Sequence, residues 1–294
     1  MPRSAAPPSP GARTSRPKVG LVIGSGGIKC VAAVGLWRAL ERAGIEVDVA
    51  VGCSGGSVYA AALALGLVAD DAEDLTQRLW GRSFTGVRYR SLLQVALPRV
   101  FGFSERVGLL DDRALGAVLD EVFGEASFGE AAVPLFLVAS DLRTAETVVL
   151  DAGRVQDAVR ASLALPLLLR PWSVGDRLLI DGGTSNPLPI DVAIREGCEV
   201  IIAMGFESRP GETIASFSGL VGRAAAIATN HLIRSTYAFY SAAHHAEIVP
   251  VMPAFDGPVR LTDAHLIPDL IRRGEEAAED QLPYLRRLLT PTPA

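Results

Sequence analysis

The chain has 294 residues, 49% hydrophobic and 21% charged, with a formal net charge of −5. That length accommodates one large α/β domain or two smaller ones. The acidic balance excludes a general nucleic-acid binder, which needs a basic surface. Three scattered cysteines, Cys30, Cys53 and Cys198, form neither a disulfide framework nor a C-x-x-C pair. The four histidines lack ligand spacing, and the adjacent His244 and His245 point in different directions on any regular element. Neither metal nor cofactor is expected, and the scattered thiols favour a reducing, cytoplasmic setting.

Residues 1–17, rich in Pro, Ser, Ala and Arg, lack the apolar stretch of a secretory signal and read as a disordered tail. "KVGLVIGSGG" opens the ordered part: an apolar run from Val19 to Ile23 ends in glycines, as a buried parallel strand does. "IKCVAAVGLWRALERAG" has helical periodicity and a glycine stop at Gly44. "VDVAVG" is a second strand, and Gly56 to Leu67 form a helix that is apolar all round. Val49 to Ala69 carry no charge, long enough to span a bilayer. "GCSGGS" would break such a span, and a strand, a turn and a buried helix explain the run better.

"DDAEDLTQRLWG" is helical, and "LLDDRALGAVLDEVFG" is an amphipathic helix with Asp111 and Asp112 at its positive end. "PLFLVASDL" and "ETVVLDAG" read as strands in a hairpin, "RVQDAVRASLAL" as a short helix, and "DRLLIDGG" as a strand ending in Asp181. A helix in "NPLPIDVAIREG" and a buried strand in "EVIIAMGF" follow. A long helix over roughly 213–243, a strand in "AEIVPVMP" and a terminal helix broken near Pro283 complete the chain. The β-α-β-α start predicts parallel strands with crossover helices. With no repeat and no linker, residues 18–290 read as one domain.

Three motifs fall on strand ends. "GSGGIKC" at 24–30 places glycines where backbone N–H groups can face a ligand. It lacks the third glycine of a dinucleotide fingerprint, where Lys29 stands, and it lacks the G-K-S/T ending of a P-loop. An oxyanion hole needs only adjacent donors, which Gly26 and Gly27 supply; a tight turn is the plain alternative. "GCSGG" at 52–56 fits the nucleophile-elbow pattern G-x-S-x-G, with Gly52 and Gly55 avoiding clashes around Ser54. "IDGG" at 180–183 puts Asp181 at a strand end, the edge where parallel sheets bind ligands, or in a simple turn or cap.

Together, in this order, the motifs resemble the patatin-like phospholipases, in particular the bacterial group similar to neuropathy-target-esterase domains. The resemblance runs from about Lys18 to Leu289. It implies a three-layer α/β/α sandwich with a mostly parallel central sheet. It implies hydrolysis of lipid acyl esters of the phospholipase A or lysophospholipase type, without a cofactor. It implies a Ser–Asp dyad in which Ser54 is the nucleophile and Asp181 the general base and acid. The N–H groups of Gly26, Gly27 and Ile28 would hold the oxyanion, supported by Gly24, Lys29, Gly52, Gly55, Gly56, Gly182 and Gly183. The chain departs from the pattern at Ser25 and Cys30, where glycine is usual, and at Lys29, where arginine is commoner.

Alternatives remain at this stage. A Ser–Asp–His triad could draw on His231, His244, His245 or His265; a dinucleotide site could use "GSGG" with Asp48; a silent lipid-binding regulator is suggested by Cys30. "SFTGVRYRSLLQVALPRVFGF" mixes Arg88, Arg90 and Arg99 with apolar residues and suits a lid, a peripheral membrane patch or a solvated loop. A dyad without histidine predicts activity that persists below about pH 6, where an imidazole base is protonated.

Overall fold

The structure, a computed structural model, describes residues 16–82, 86–209, 214 and 217–290. Its sheet contains β1 (Val19–Ile23), β2 (Val49–Cys53), β3 (Leu135–Asp141), β4 (Thr147–Leu150), β5 (Trp172–Val174), β6 (Arg177–Asp181), β7 (Val200–Met204) and β8 (Glu247–Val251). The order is β5-β6-β3-β2-β1-β7-β8, with β4 also on β3. β3, β2, β1, β7 and β8 run parallel, and β4, β5 and β6 add antiparallel pairings on the β3 side. β1, β2 and β7 are buried throughout, as strands covered on both faces must be.

Helices α1 (Ala32–Ala43), α2 (Gly55–Ala64), α3 (Ala69–Arg82), α6 (Arg113–Phe123), α7 (Val155–Ser162) and α10 (Ile267–Glu279) pack on one face. α8 (Ile190–Arg195) and α9 (Phe217–Ala243) pack on the other. β1 shows why: Val19, Leu21 and Ile23 enter the first core and Val22 the second, following the two-residue strand period. α1 and α10 touch backbone to backbone. A β-carbon on Gly35 would lie 2.0 Å from Ile271 O, and one on Gly274 1.9 Å from Ala32 O. α4 (Tyr89–Ala96) and α5 (Pro98–Phe101) bury no residue, and α11 (Leu282–Leu289) closes the chain after a break at Asp280 and Gln281.

One pairing places the site. β4 occupies one edge of β3 from Leu137 to Ser140, so β2 and β6 share the opposite edge. β2 runs parallel along it as far as Cys53, opposite Val138; β6 comes from the other direction and ends at Asp181, opposite Ala139. The carboxyl ends of the two strands meet head on.

Asp181 ends a strand at the edge of the parallel set, but β6 itself is antiparallel to β3 and is continued outward by β5, a three-residue strand too short to show a pattern. The charge-free run from Val49 resolves into β2, a turn and α2. Among the described residues no helix is long and apolar enough to cross a membrane. Residues 1–15 of the expected tail lie outside the described residues, as does the expected helix start at 213. Arg16 is placed, with its guanidinium 2.7 Å from Asp48 Oδ2.

Candidate active site

Ser54 lies between β2 and α2 with φ 54° and ψ −128°. Side chains rarely adopt positive φ, and the cost is on the order of 1–3 kcal/mol unless neighbours enforce it. Here they do. The Ser54 N–H donates to Ser162 Oγ at 2.8 Å, and its carbonyl accepts from Ser57 N–H at 2.9 Å and Ser57 Oγ at 2.6 Å. Small neighbours are required: a β-carbon on Gly52 would lie 2.6 Å from Ser57 Cα, and one on Gly55 2.5 Å from Gly27 O. Gly56 is equally confined, by the carbonyls of Ile23 and Gly24.

Asp181 and Ser54 are both buried, at 3% and 6% exposure. Ser54 Oγ donates to Asp181 Oδ2 at 2.5 Å, while the Gly183 N–H donates to Oδ1 at 2.7 Å. Asp181 thus also caps the short turn Gly182–Thr184, so the turn-and-cap reading of "IDGG" and the functional one hold together. Gly182 lets that turn press against β3, since a β-carbon there would lie 2.2 Å from Val138 O. Burial pushes the Asp181 carboxyl up to about 6, against the opposing pull of the Ser54 and Gly183 hydrogen bonds.

The glycine loop closes the third side. Gly24 N–H is taken by Met204 O, Ser25 N–H by Pro187 O, and Lys29 N–H by Gly26 O. Among the described residues no group accepts from the N–H of Gly26, Gly27 or Ile28, which is what an oxyanion hole requires. Gly27, at φ 58°, lines the same cleft as Ser54 and Asp181. Lys29 anchors the loop from behind: its ammonium is buried and donates to Ser208 Oγ and to the carbonyls of Phe206 and Glu207. Burial lowers its pKa to about 8.

The cleft is apolar, lined by Trp80, Leu163, Leu165, Leu168, Leu169 and Leu261 around the polar pair. Its free volume is about 30 Å³, room for a water or two. None of the four histidines lines it. Asp48 lies at the amino end of β2, bound to Arg16 and the Val19 N–H, at the opposite end of the sheet from the glycine loop. Ser25 and Cys30 do not enter the cleft; Cys30 Sγ turns toward Gly24 O at 3.3 Å. No group of three or more His, Cys, Asp and Glu residues suited to a metal ion occurs among the described residues. Ser162 is the residue that sequence reasoning missed. It sits buried at the end of α7, accepting from Ser54 and donating to Val138 O at 2.7 Å, and a serine in a helix carries no signal of such a role.

A family model of patatin-like phospholipases matches residues 21–194. The chain belongs to the patatin-like phospholipase family. The matched span of this patatin-like chain contains the glycine loop, the elbow and the D-G-G turn; it ends within α8, short of the stretch to Leu289 over which the resemblance was read. An uncharacterized NTE family protein of Mycobacterium tuberculosis is 30% identical over 231 residues, which are 77% of this chain and 59% of that protein. Patatin-like phospholipase domain-containing protein 6 of Mus musculus is 29% identical over 201 residues, 68% of this chain and 14% of that protein. The chain therefore spans well under two thirds of the length of these relatives. Among solved structures, VipD from Legionella pneumophila is similar in fold, with a TM-score of 0.54 at 14% identity over 93% of this chain and 68% of that one.

Proposed function

We propose that this chain is a serine-dependent lipid acyl hydrolase, of the phospholipase A or lysophospholipase type, working through a Ser–Asp dyad within one domain over residues 18–290. The observation that carries the reading is the direct 2.5 Å hydrogen bond from Ser54 Oγ to Asp181 Oδ2 at the end of an apolar cleft. Ser54 Oγ attacks the acyl carbonyl carbon as its proton passes to Asp181. The tetrahedral oxyanion rests on the N–H groups of Gly26, Gly27 and Ile28. Asp181 then returns the proton to the leaving alcohol oxygen, and a water repeats the sequence on the acyl-enzyme with Asp181 again as base. A carboxyl with a pKa of about 6 is ionised at neutral pH and yet more basic than an ordinary aspartate, which suits it to both transfers. Family membership supports lipid esters as substrates, and the leucine-lined cleft supports an acyl chain, which must displace some of that lining to enter 30 Å³.

Labelling with a fluorophosphonate, followed by turnover of a panel of acyl esters and phospholipids, tests the reading. Wild type should label and turn over; Ser54→Ala should do neither, losing several orders of magnitude in rate, with a stability loss of about 1–3 kcal/mol because the buried Asp181 Oδ2 loses its donor. Turnover near wild type in a folded Ser54→Ala protein sinks the proposal.

A further inference from the structure

The segment between α3 and α6 has no place in the chemistry above, and its surface is unusual. Tyr89, Leu97, Val100 and Phe103 are 50–78% exposed, and Leu92 and Phe101 more than 40%. A helix in a folded protein ordinarily buries its apolar face; neither α4 nor α5 buries any residue. Over residues 86–110 four arginines, Arg88, Arg90, Arg99 and Arg106, stand against one carboxylate, Glu105, in a chain whose net charge is −5. Glu105 is held by Arg143 and Arg88 lies 3.8 Å from the Asp112 carboxylate just beyond the segment, whereas Arg90 and Arg99 pair with no carboxylate among the described residues.

The segment is also tied to the cleft. An antiparallel bridge between Val87 and Leu110 closes its neck, with Arg88 N–H on Leu109 O at 2.8 Å. The same neck donates from Leu109 N–H to Leu167 O and from Leu110 N–H to Leu168 O, each at 2.9 Å. Leu168 lines the cleft, and Leu165 both lines it and is 38% exposed. Leu167, 52% exposed at φ 70°, stands beside it. The neck therefore ties the exposed apolar residues of α4 and α5 to the Leu165–Leu168 stretch that lines the cleft above Ser54.

We propose that residues 88–106 form the surface by which this protein docks on an anionic lipid bilayer, with α4 and α5 lying in the interface and the mouth of the cleft facing the lipid. Apolar side chains interleaved with unpaired arginines are what a negatively charged interface recognises: the first enter the acyl boundary and the second meet phosphate and headgroup oxygens. A second copy docked about a two-fold axis would set the same arginines against one another, so charge favours the bilayer over self-association. The inference extends the reading of the chain as a lipid acyl hydrolase, and it is tested without turnover.

The test uses the full chain carrying Ser54→Ala, so that binding is read apart from hydrolysis. Co-sedimentation is measured with vesicles of phosphatidylcholine alone and of equimolar phosphatidylcholine and phosphatidylglycerol. The protein should bind the anionic vesicles, release them as salt is raised, and bind the neutral ones far less. Adding Arg90→Glu with Arg99→Glu should lower the partition coefficient at least about tenfold. Val100→Ser with Phe101→Ser should do the same by removing the inserted apolar groups. Both pairs are exposed, so the circular dichroism and melting temperature should stay unchanged. Ile227→Ser with Phe239→Ser, on the exposed apolar face of α9, should leave binding intact. Absence of binding to anionic vesicles overturns the proposal, as does binding that survives both pairs or is lost only with the α9 pair. Sedimentation velocity showing a self-associated protein that the Val100 and Phe101 pair converts to monomer, without vesicle binding, overturns it in favour of a second copy.

Discussion

Cys53 and Asp181 take consecutive places along one edge of β3, Cys53 opposite Val138 and Asp181 opposite Ala139. They belong to strands running in opposite directions, so each presents its carboxyl end to the other. The residue after Cys53 is Ser54, and its hydroxyl meets the Asp181 carboxylate across the junction although 127 residues separate the two. The polar pair is thus set by sheet register.

Burial of Asp181 has a stability consequence with a definite sign. Its pKa is raised from 3.8 to about 6 in the folded protein, so the folded state holds the proton more tightly than the unfolded chain. The stabilisation from that proton is fully present below the unfolded value and is lost as pH rises through about 6. At neutral pH the buried charge costs on the order of 3 kcal/mol. Asp181→Asn should therefore abolish turnover while raising the unfolding free energy by about 2 kcal/mol near pH 8, and by much less near pH 4. Denaturant melts at the two pH values check this.

The same shift changes what a pH–rate profile can decide. Turnover should rise with an apparent pKa of about 6, where a histidine base would also titrate. The expectation of activity persisting below pH 6 is replaced by a loss through that range. The temperature dependence of the apparent pKa separates the two bases, because a carboxyl ionises with a much smaller enthalpy than an imidazole. A weak dependence is expected. His231→Gln, His244→Gln, His245→Gln and His265→Gln, made singly, should each keep most of the rate; a loss from one of them equal to that of Ser54→Ala would transfer the base to that histidine.

Ser162 should act as a positioning residue. Its hydroxyl accepts from the Ser54 N–H and donates to Val138 O, so it holds the strained elbow against β3. Ser162→Ala removes the acceptor of the Ser54 N–H and one donor to Val138 O, costing about 1–3 kcal/mol of stability. It should lower kcat roughly tenfold to a hundredfold with little change in KM, because Ser54 is displaced while the cleft is not. Ser162→Thr keeps the hydroxyl and should restore much of kcat. Equal kcat in the alanine and threonine variants would assign Ser162 a purely structural role.

Cys30 is fully buried within the short turn Gly27–Val31 and is not at positive φ, so its β-carbon imposes no strain on the glycine loop. Cys30→Gly should therefore not raise turnover. It should destabilise the protein by about 2 kcal/mol, from backbone entropy and from the lost packing of the thiol between Gly24 O and Gly55. Turnover above wild type would show that the thiol constrains the loop.

The strands and helices that build the three layers could be read from the sequence, because burial on both faces demands unbroken apolar runs such as Val19–Ile23 and helices demand a 3.6-residue period. The three motifs were legible for a related reason: close backbone approach at Gly52, Gly55 and Gly182 tolerates no β-carbon, and that leaves glycine in the sequence itself. Strand direction was not legible, since the apolar run of β6 reads the same whichever way it pairs, and only its register on β3 brings Asp181 to Ser54. Nor was the environment that sets the Asp181 pKa, because its burial exists only once packing closes a cleft lined by separate segments of the chain, among them Trp80, Leu163–Leu169 and Leu261. Ser162 was invisible for the same reason. A hydroxyl on a helix acquires a partner only when packing brings the strained Ser54 amide within 2.8 Å of it.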